Sequence, residues 1–372
     1  MNKKLANFNW RKILIPIFSI ISAFIIGAII IAASGKNPLD AFSALFSGIF
    51  GNTYYIGEWL FRSVPIILTG LAVAFAFRTG LFNIGAPGQL AMGGLTAVVI
   101  GIFVQLPWFF HMPLMIIGGG LAGFLWGLIP GILKARYRVH EVVVSIMLNY
   151  TALYFVNYAI LKFIPNPTNP AQSAAMQPSA TLNVPGITEL VAAIFPNSRL
   201  NFGFLIAIAA CIIFAFIINK TSFGYELRAV GLNPSAAEYA GMKVNRNIAL
   251  SMAIAGAFAG IAGAIYMTSL GKIDVEQGLT GYYLLGFDGI AVALLGNSTG
   301  VGVFLSALLL GGLKAGAASM QAFAQVPAEI VEIMSSLILL FVASGYFFER
   351  ILDKRAIKKL HKIRQQKVEV SE

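Results

Sequence analysis

The sequence predicts an all-α integral membrane protein with about ten transmembrane helices and both termini in the cytoplasm. Hydrophobic residues make up 58% of the 372 residues and charged residues only 11%, whereas a typical soluble domain has about 25% charged residues. The apolar residues form long runs, for example over 13–33 and 202–218, and lysine and arginine concentrate in alternate loops. These three observations together favour a chain that crosses a membrane repeatedly.

The apolar runs define the individual spans. A transmembrane helix needs about 20 mostly apolar residues, because each residue rises about 1.5 Å and the hydrocarbon core is about 30 Å thick. We predict spans at 13–33, 60–78, 83–105, 113–133, 141–163, 202–219, 247–269, 282–296, 301–318 and 329–348. The span at 83–105 contains Pro87 and the span at 282–296 is short. Such interrupted or short segments often lie beside a transport path.

The basic residues set the orientation. With the amino terminus in the cytoplasm, 20 of the 26 lysine and arginine residues fall on the cytoplasmic side and 6 on the outer side. The six outer residues are Lys36, Arg62, Lys162, Arg199, Lys272 and Lys314. An even number of spans follows, since an odd number would export one of the two basic termini.

The segments between spans divide the chain further. We expect a transmembrane domain over 1–349 and a basic cytoplasmic tail over 350–372, beside anionic lipid headgroups. Residues 165–200 carry six prolines and predict an external loop, whereas 220–246 form a cytoplasmic loop. The net charge of +11 reflects this membrane-side distribution, so we expect no nucleic-acid partner.

The sequence lacks the motifs that would indicate an enzyme. It has no G-x-x-x-x-G-K-[ST] loop for nucleotide phosphates and no G-x-S-x-G motif for a nucleophile. Its three histidines are far apart, and we expect neither a metal site nor a bound cofactor. Uphill transport by this chain would therefore draw on an ion gradient or on a separate ATPase.

Polar residues within the spans are candidates for a substrate path, because buried polar groups in membranes usually face a cavity or a partner helix. The candidates are Asn83, Gln89, Asn149, Asn157, Phe287 and Asp288. The amides and the carboxylate can contact a polar ligand, and Phe287 can stack on a ring. The alternatives are interhelical hydrogen bonds, backbone capping beside glycines, and core packing. The small residues Gly256, Gly260 and Ala264 predict a closely packed helix face.

The stretch GYELRAVGLNPSAAEYAGM, at 224–242, has strong local signals. Gly231 can end one helix, Asn233 is a good N-cap, and Pro234 suits a first helical turn. Residues 235–240 then predict a short helix of small side chains that ends at Gly241. Such a helix can enter a groove of a partner protein, although it can equally be an ordinary interfacial turn.

This stretch resembles the coupling-helix loop of bacterial ABC importer permeases of the branched-chain amino acid, ribose and nucleoside group. Three further stretches resemble the same family: GLFNIGAPGQLAMGG at 80–94, HEVVVSIMLNY at 140–150 and GFDGIAVALLG at 286–296. The resemblance implies a type II ABC importer permease fold and a loop that inserts into a cytoplasmic ATPase, which binds the ATP and magnesium. The residues it assigns to this loop are Glu226, Arg228, Gly231, Asn233, Pro234, Ala236, Ala237, Tyr239 and Gly241.

Within that group the motifs are most similar to bacterial nucleoside permeases of the guanosine type. The resemblance implies a second permease subunit, a lipid-anchored external binding protein and the bacterial cytoplasmic membrane. Relatives commonly have an acidic residue at Pro87 and asparagine at His140, so no role of that acid is transferred. A sugar or branched-chain amino acid remains an alternative substrate. An ion-coupled secondary transporter is the alternative of another class, with Asp288, Glu329 and Glu332 as its acidic candidates.

Overall fold

The computed structural model describes residues 11–344, with side chains from Ile17 onward except that of Ala343. The predicted tail at 350–372 lies outside the described residues. Within the described range the chain is helical, and its only β pairings are two isolated bridges, Pro165–Ser173 and Gln172–Asp274. The helices are α1 (Arg11–Ala33), α2 (Pro38–Phe50), α3 (Thr53–Phe77), α4 (Ala86–Phe103), α5 (Trp108–Tyr137), α6 (Glu141–Phe163), α7 (Ile187–Ile194), α8 (Gly203–Lys220), α9 (Ser222–Leu232), α10 (Pro234–Tyr239), α11 (Val244–Leu270), α12 (Leu284–Leu295), α13 (Gly300–Ala324) and α14 (Glu329–Ala343).

The helices confirm the all-α class. Seven of those described, α3, α4, α5, α6, α8, α11 and α13, are each long and apolar enough to cross a membrane. Shorter apolar helices cover 17–33, 38–50 and 281–295. Each predicted span overlaps a described helix, although residues 345–348 of the last span lie outside the described residues, and the count of about ten spans stays a prediction.

The chain forms two compact units. Of the described residues, the first unit contains 11–38 and 326–344, and in it α1 packs on α14. A side chain at Gly27 of α1 would overlap the side chain of Met334, so the two helices are in close contact there. The second unit, residues 39–325, contains α2 to α13 and all the sites considered below.

Helix α3 is the centre of the second unit. Every residue from Ser63 to Ala76 is buried, on all faces of the helix. A helix that is apolar and buried all round lies inside a bundle. Around it, α5 and α11 approach closely through glycine: a Cβ at Gly256 would overlap the carbonyl oxygen of Gly123, and one at Gly260 that of Gly119. The predicted small-residue face of α11 is thus confirmed.

The structure corrects several predicted bounds. Helix α2 was not predicted, and α3 begins at Thr53, earlier than the predicted 60, because Asn52 caps it by accepting a hydrogen bond from Tyr55 N at 3.0 Å. Helix α4 begins at Ala86 rather than at 83, so Pro87 occupies its first turn instead of interrupting a span. A missing N–H costs nothing in that position.

Helix α12 is short, and two of its glycines allow it to pack closely against other elements. Its 12 residues extend only about 18 Å. A Cβ at Gly286 would overlap the Pro87 backbone, and one at Gly289 would overlap Thr69. The glycines on either side of Asp288 therefore allow α12 to pack on α3 and α4.

Candidate functional site

The second unit has two functional ends, joined by α3. At the start of α3, Glu58 forms an ion pair with Arg199 of the 165–200 loop, and we call this the loop end. Just past its end, Gly80 has a φ of +73° and lies against Gly231 of α9, and we call this the coupling end. The 25 residues of α3 extend about 37 Å, enough to cross the hydrocarbon core.

At the coupling end, α9 and α10 meet at Asn233. The Asn233 side chain accepts a hydrogen bond from Ala236 N at 3.0 Å, and Pro234 occupies the first position of α10. Helix α10 ends at Tyr239, and Gly241 follows with a φ of +82°, which glycine adopts without strain. The predicted cap and the predicted short helix are both confirmed.

Helix α9 is anchored from several sides. Leu227 and Val230 are buried, Asn247 Nδ2 donates to Glu226 Oε2 at 2.8 Å, and Arg228 Nη1 donates to Ile218 O. The sequence predicted that Gly231 ends this helix. In the structure α9 continues one residue further, to Leu232. Instead, Gly231 allows close contact, since a Cβ there would overlap Arg78 O.

Arg78 connects this contact to the remainder of the bundle. Its guanidinium donates to Ser298 O at 2.9 and 2.7 Å, in the turn between α12 and α13. Burial, together with the neighbouring cation Arg228, lowers the pKa of Arg78. Arg78 thus lies between α9, the end of α3 and the α12–α13 turn and contacts all three.

The outer surface of α10 is open. Tyr239 is 96% exposed, and Leu232, the last residue of α9, is 89% exposed. Pro234, Ala236 and Gly241 are also exposed, whereas Ala237 faces inward and is buried. Small exposed residues around one large aromatic side chain form a surface suited to a protein groove.

Three predicted path residues instead hold irregular backbone together. Asn83 and Gln89 are buried and bond each other through their amides, at 2.9 and 3.2 Å. Asn149 accepts from Gly88 N at 2.9 Å and donates to Ile84 O at 3.0 Å. Backbone outside helices needs such partners at membrane depth. The geometry favours a structural role for these three residues, because Asn149 joins α6 to α4, whereas Asn83 and Gln89 bond each other within one segment. A contact with substrate stays a prediction.

The other candidates lie nearer the loop end. Asn157 of α6 donates to Glu276 O at 2.6 Å and accepts from Glu276 N at 3.2 Å, so it holds the loop after α11. Phe287 is half-buried on α12. Asp288 Oδ2 forms an ion pair with Lys314 Nζ of α13 at 2.7 Å. Lys314 lies inside α13, in agreement with the predicted span at 301–318, although the charge count used it only as an outer-side residue.

A cavity of about 130 Å³ opens close to this ion pair, and we call it the cationic cavity. Its lining residues are Phe61, Arg62, Pro65, Ile66, Arg199, Tyr266, Leu285 and Lys314. Arg199 also donates to both Glu58 carboxylate oxygens through Nε, at 3.1 Å each, and these bonds raise the pKa of Arg199. The cavity therefore has three cations around an aromatic and aliphatic wall.

The sequence did not predict Arg62 or Lys314 as site residues. Both were counted only among the outer-side cations that set the orientation, although Arg62 lies in α3 and Lys314 in α13. A cation within an otherwise apolar helix was the available signal. Across the described residues, no group of three or more histidine, cysteine or acidic side chains could hold a metal ion.

Comparison with known proteins places these features in context. A family model described as branched-chain amino acid transport system / permease component matches residues 55–343. The guanosine ABC transporter permease protein NupP of Bacillus subtilis is 48% identical over 92% of this chain and 96% of its own length. The nucleoside ABC transporter permease protein NupB of Lactococcus lactis subsp. cremoris is 38% identical over 95% and 96%. The glucose ABC transporter permease protein TsgB13 of Haloferax volcanii is 33% identical over 92% and 90%.

Proposed function

The chain belongs to the branched-chain amino acid transport system / permease component family, and from this membership we propose that it is the membrane-spanning subunit of an ABC importer for nucleosides. It is a multi-pass membrane protein and a transport subunit rather than an enzyme. The observation that carries the nucleoside assignment is the 48% identity to a guanosine permease over nearly the full length of both chains.

Energy coupling is proposed to occur at the coupling end. A separate cytoplasmic ATPase binds the ATP and magnesium, and α10 enters a groove on that ATPase. The exposed Tyr239 and Ala236 support this proposal, as does the anchoring of α9 beneath them. Next to α10, a cavity of about 730 Å³ is lined by Arg136, Arg138 and Arg246, among others, and its positive charge suits acidic residues on the ATPase.

The proposed orientation of the two ends also assigns positions to the other partners. We place the coupling end in the cytoplasm and the loop end outside the bacterial cytoplasmic membrane, with about ten spans and both termini inside. A lipid-anchored binding protein delivers the nucleoside to the loop end, where residues 181–201 line a cavity of about 310 Å³. A second permease, identical or homologous, completes the pore.

Substrate identity is tested by uptake. Cells that express the complete transporter, with and without this chain, are given labelled guanosine, cytidine, glucose or leucine. We expect uptake of nucleosides to depend on this chain. The glucose permease relative favours a sugar as the second candidate, and uptake of glucose without uptake of nucleosides would support that candidate instead.

ATPase docking is tested separately with substitutions on α10. Ala236→Arg adds a charged side chain to the exposed surface, and Tyr239→Ala removes its large aromatic group. We expect both variants to insert into the membrane normally but to lose co-purification of the ATPase. Phe163→Ala is the control, because Phe163 is exposed at the end of α6 and lines neither α10 nor the cavity beside it. Unchanged co-purification of both α10 variants would contradict docking there.

A further inference from the structure

The three cations of the cationic cavity differ in their partners. Arg199 is paired with Glu58, and Lys314 is paired with Asp288. Among the residues that the structure describes, Arg62 has neither an ion-pair nor a hydrogen-bond partner. The cavity thus holds two neutralised cations and one guanidinium whose donors remain available.

The free hydrogen-bond donors of Arg62 are significant because the residue lies within a helix of transmembrane length. It lies nine residues into α3, about 14 Å along a helix of transmembrane length, and it is only partly exposed. Glu58, four residues earlier on α3, interacts with the charge of Arg62 through space, but its direct ion pair is with Arg199. An arginine without a direct partner in a membrane span is unfavourable unless it faces a cavity or a ligand, and such residues mark transport paths. The unpaired guanidinium of Arg62 therefore lowers the stability of the fold, and a role in transport would explain why it is present.

The cavity is suited to a ring. At about 130 Å³ it has room for roughly four water molecules at about 30 Å³ each, too little for a segment of another protein. The Phe61 and Tyr266 rings stack at a centroid distance of 6.4 Å with 21° between their planes. Arg199 covers Phe61, with its guanidinium carbon 4.8 Å from the ring centroid, whereas Tyr266 stays partly exposed at the cavity wall.

The chemistry of the wall narrows the ligand. No residue that lines the cavity carries a carboxylate, and its charged groups, Arg62, Arg199 and Lys314, are hydrogen-bond donors without acceptors. A guanidinium presents two parallel N–H donors, which match two adjacent acceptors in one plane. A 6-oxopurine offers such a pair in O6 and N7, whereas a 6-aminopurine offers one acceptor beside a donor.

We propose that Arg62 is a specificity-determining residue that binds the O6 and N7 edge of 6-oxopurine nucleosides as they pass through the permease. This inference rests on the proposed nucleoside import. The base enters edge-on to Arg62 beside the Tyr266 ring, and the sugar stays toward the loop end. Nucleosides whose base lacks this acceptor pair pass the same point with fewer contacts.

The test measures relative uptake by the complete transporter in proteoliposomes, with its own binding protein outside. The labelled probes are guanosine, inosine and adenosine, and the variants are Arg62→Gln and Arg62→Lys. We expect Arg62→Gln to lower the ratio of guanosine or inosine uptake to adenosine uptake by about tenfold. Arg62→Lys keeps donors for O6 and N7 but loses the planar fork, so it should lower the ratio less. The binding protein is the same in every sample, so its own preference cancels. Lys162→Gln removes an exposed cation outside the cavity, at the end of α6, and should leave the ratio unchanged.

A second probe changes the nucleoside instead of the permease. The base of 7-deazaguanosine lacks N7, so the wild-type transporter should import it about tenfold more slowly than guanosine, and Arg62→Gln should remove this difference. Equal uptake of these two probes by the wild type, an unchanged ratio in both variants, or an equal loss of all nucleosides would each overturn the inference. A wild-type transporter that imports no nucleoside would instead overturn the proposed function.

Discussion

Replacing Lys314 with methionine tests whether the ion pair to Asp288 stabilises the bundle. The two charged groups are 2.7 Å apart and join α12 to α13. Methionine keeps an unbranched side chain of similar length but loses the charge, so packing in the second unit should change little. The carboxylate of Asp288 then loses this cation.

The burial of the pair sets the expected effect. Removing one partner of a fully buried ion pair costs about 3–5 kcal/mol. The Lys314 and Asp288 side chains are 22% and 15% exposed, so water compensates part of the loss. We therefore expect a loss of about 2–3 kcal/mol of stability. At about 2 °C per kcal/mol for a large domain, the apparent melting temperature should fall by about 5 °C.

The assay is thermal unfolding of the detergent-purified protein, and a second substitution distinguishes the pair from its surroundings. Adding Asp288→Asn to Lys314→Met removes the remaining charge, so the double variant should recover more than half of the lost stability. Lys162→Met changes an exposed lysine and should shift stability by less than about 0.5 kcal/mol. Equal melting temperatures for wild type and Lys314→Met, or strictly additive effects in the double variant, would refute the reasoning.

Two further substitutions test the packing of the bundle by the same thermal assay. Gly256→Val should lower stability by about 1–3 kcal/mol, because its side chain overlaps Gly123 O and separates α5 from α11, whereas Gly278→Val, where a Cβ meets open space, should have little effect. Asn149→Leu should lower stability by about 2 kcal/mol or more, because it leaves Gly88 N–H and a second buried backbone group without partners. A melting temperature equal to that of the wild type in either case would contradict the corresponding contact.

The features that the sequence predicted correctly are those determined by neighbouring residues. The Asn233 side chain reaches the backbone three residues ahead, and Pro234 follows it directly, so the start of α10 can be inferred from local chemistry. The apolar runs likewise identified the helices, because hydropathy is a property of each segment alone. The bounds were less accurate, since a cap such as Asn52 can extend a helix into polar sequence.

The features that the sequence did not predict depend on contacts between distant segments. Gly231 was interpreted as a helix end, whereas its actual role is to approach the turn after α3, about 150 residues earlier in the chain. Gly231→Trp would therefore disrupt this packing as well as any docking. The role of Asp288 in the substrate path stays a prediction, and its ion-pair partner Lys314 is on another helix and could not be inferred from spacing.

The cationic cavity is a second feature that the sequence did not predict. The charge count used Arg62 and Lys314 only as outer-side signals of orientation, although both fall inside the predicted spans at 60–78 and 301–318. In the structure both belong to helices of transmembrane length and line a common cavity. A charged residue that is used only as a signal of orientation can thus be overlooked as a candidate for the transport path.

The energy source of nucleoside uptake tests the central claim most directly. The permease, its ATPase and a second permease are reconstituted into proteoliposomes, with ATP and magnesium enclosed and the binding protein and labelled guanosine outside. We predict accumulation of guanosine that requires enclosed ATP and persists when an ionophore collapses the proton gradient. Accumulation without ATP that disappears with the ionophore would contradict the importer assignment and favour an ion-coupled transporter.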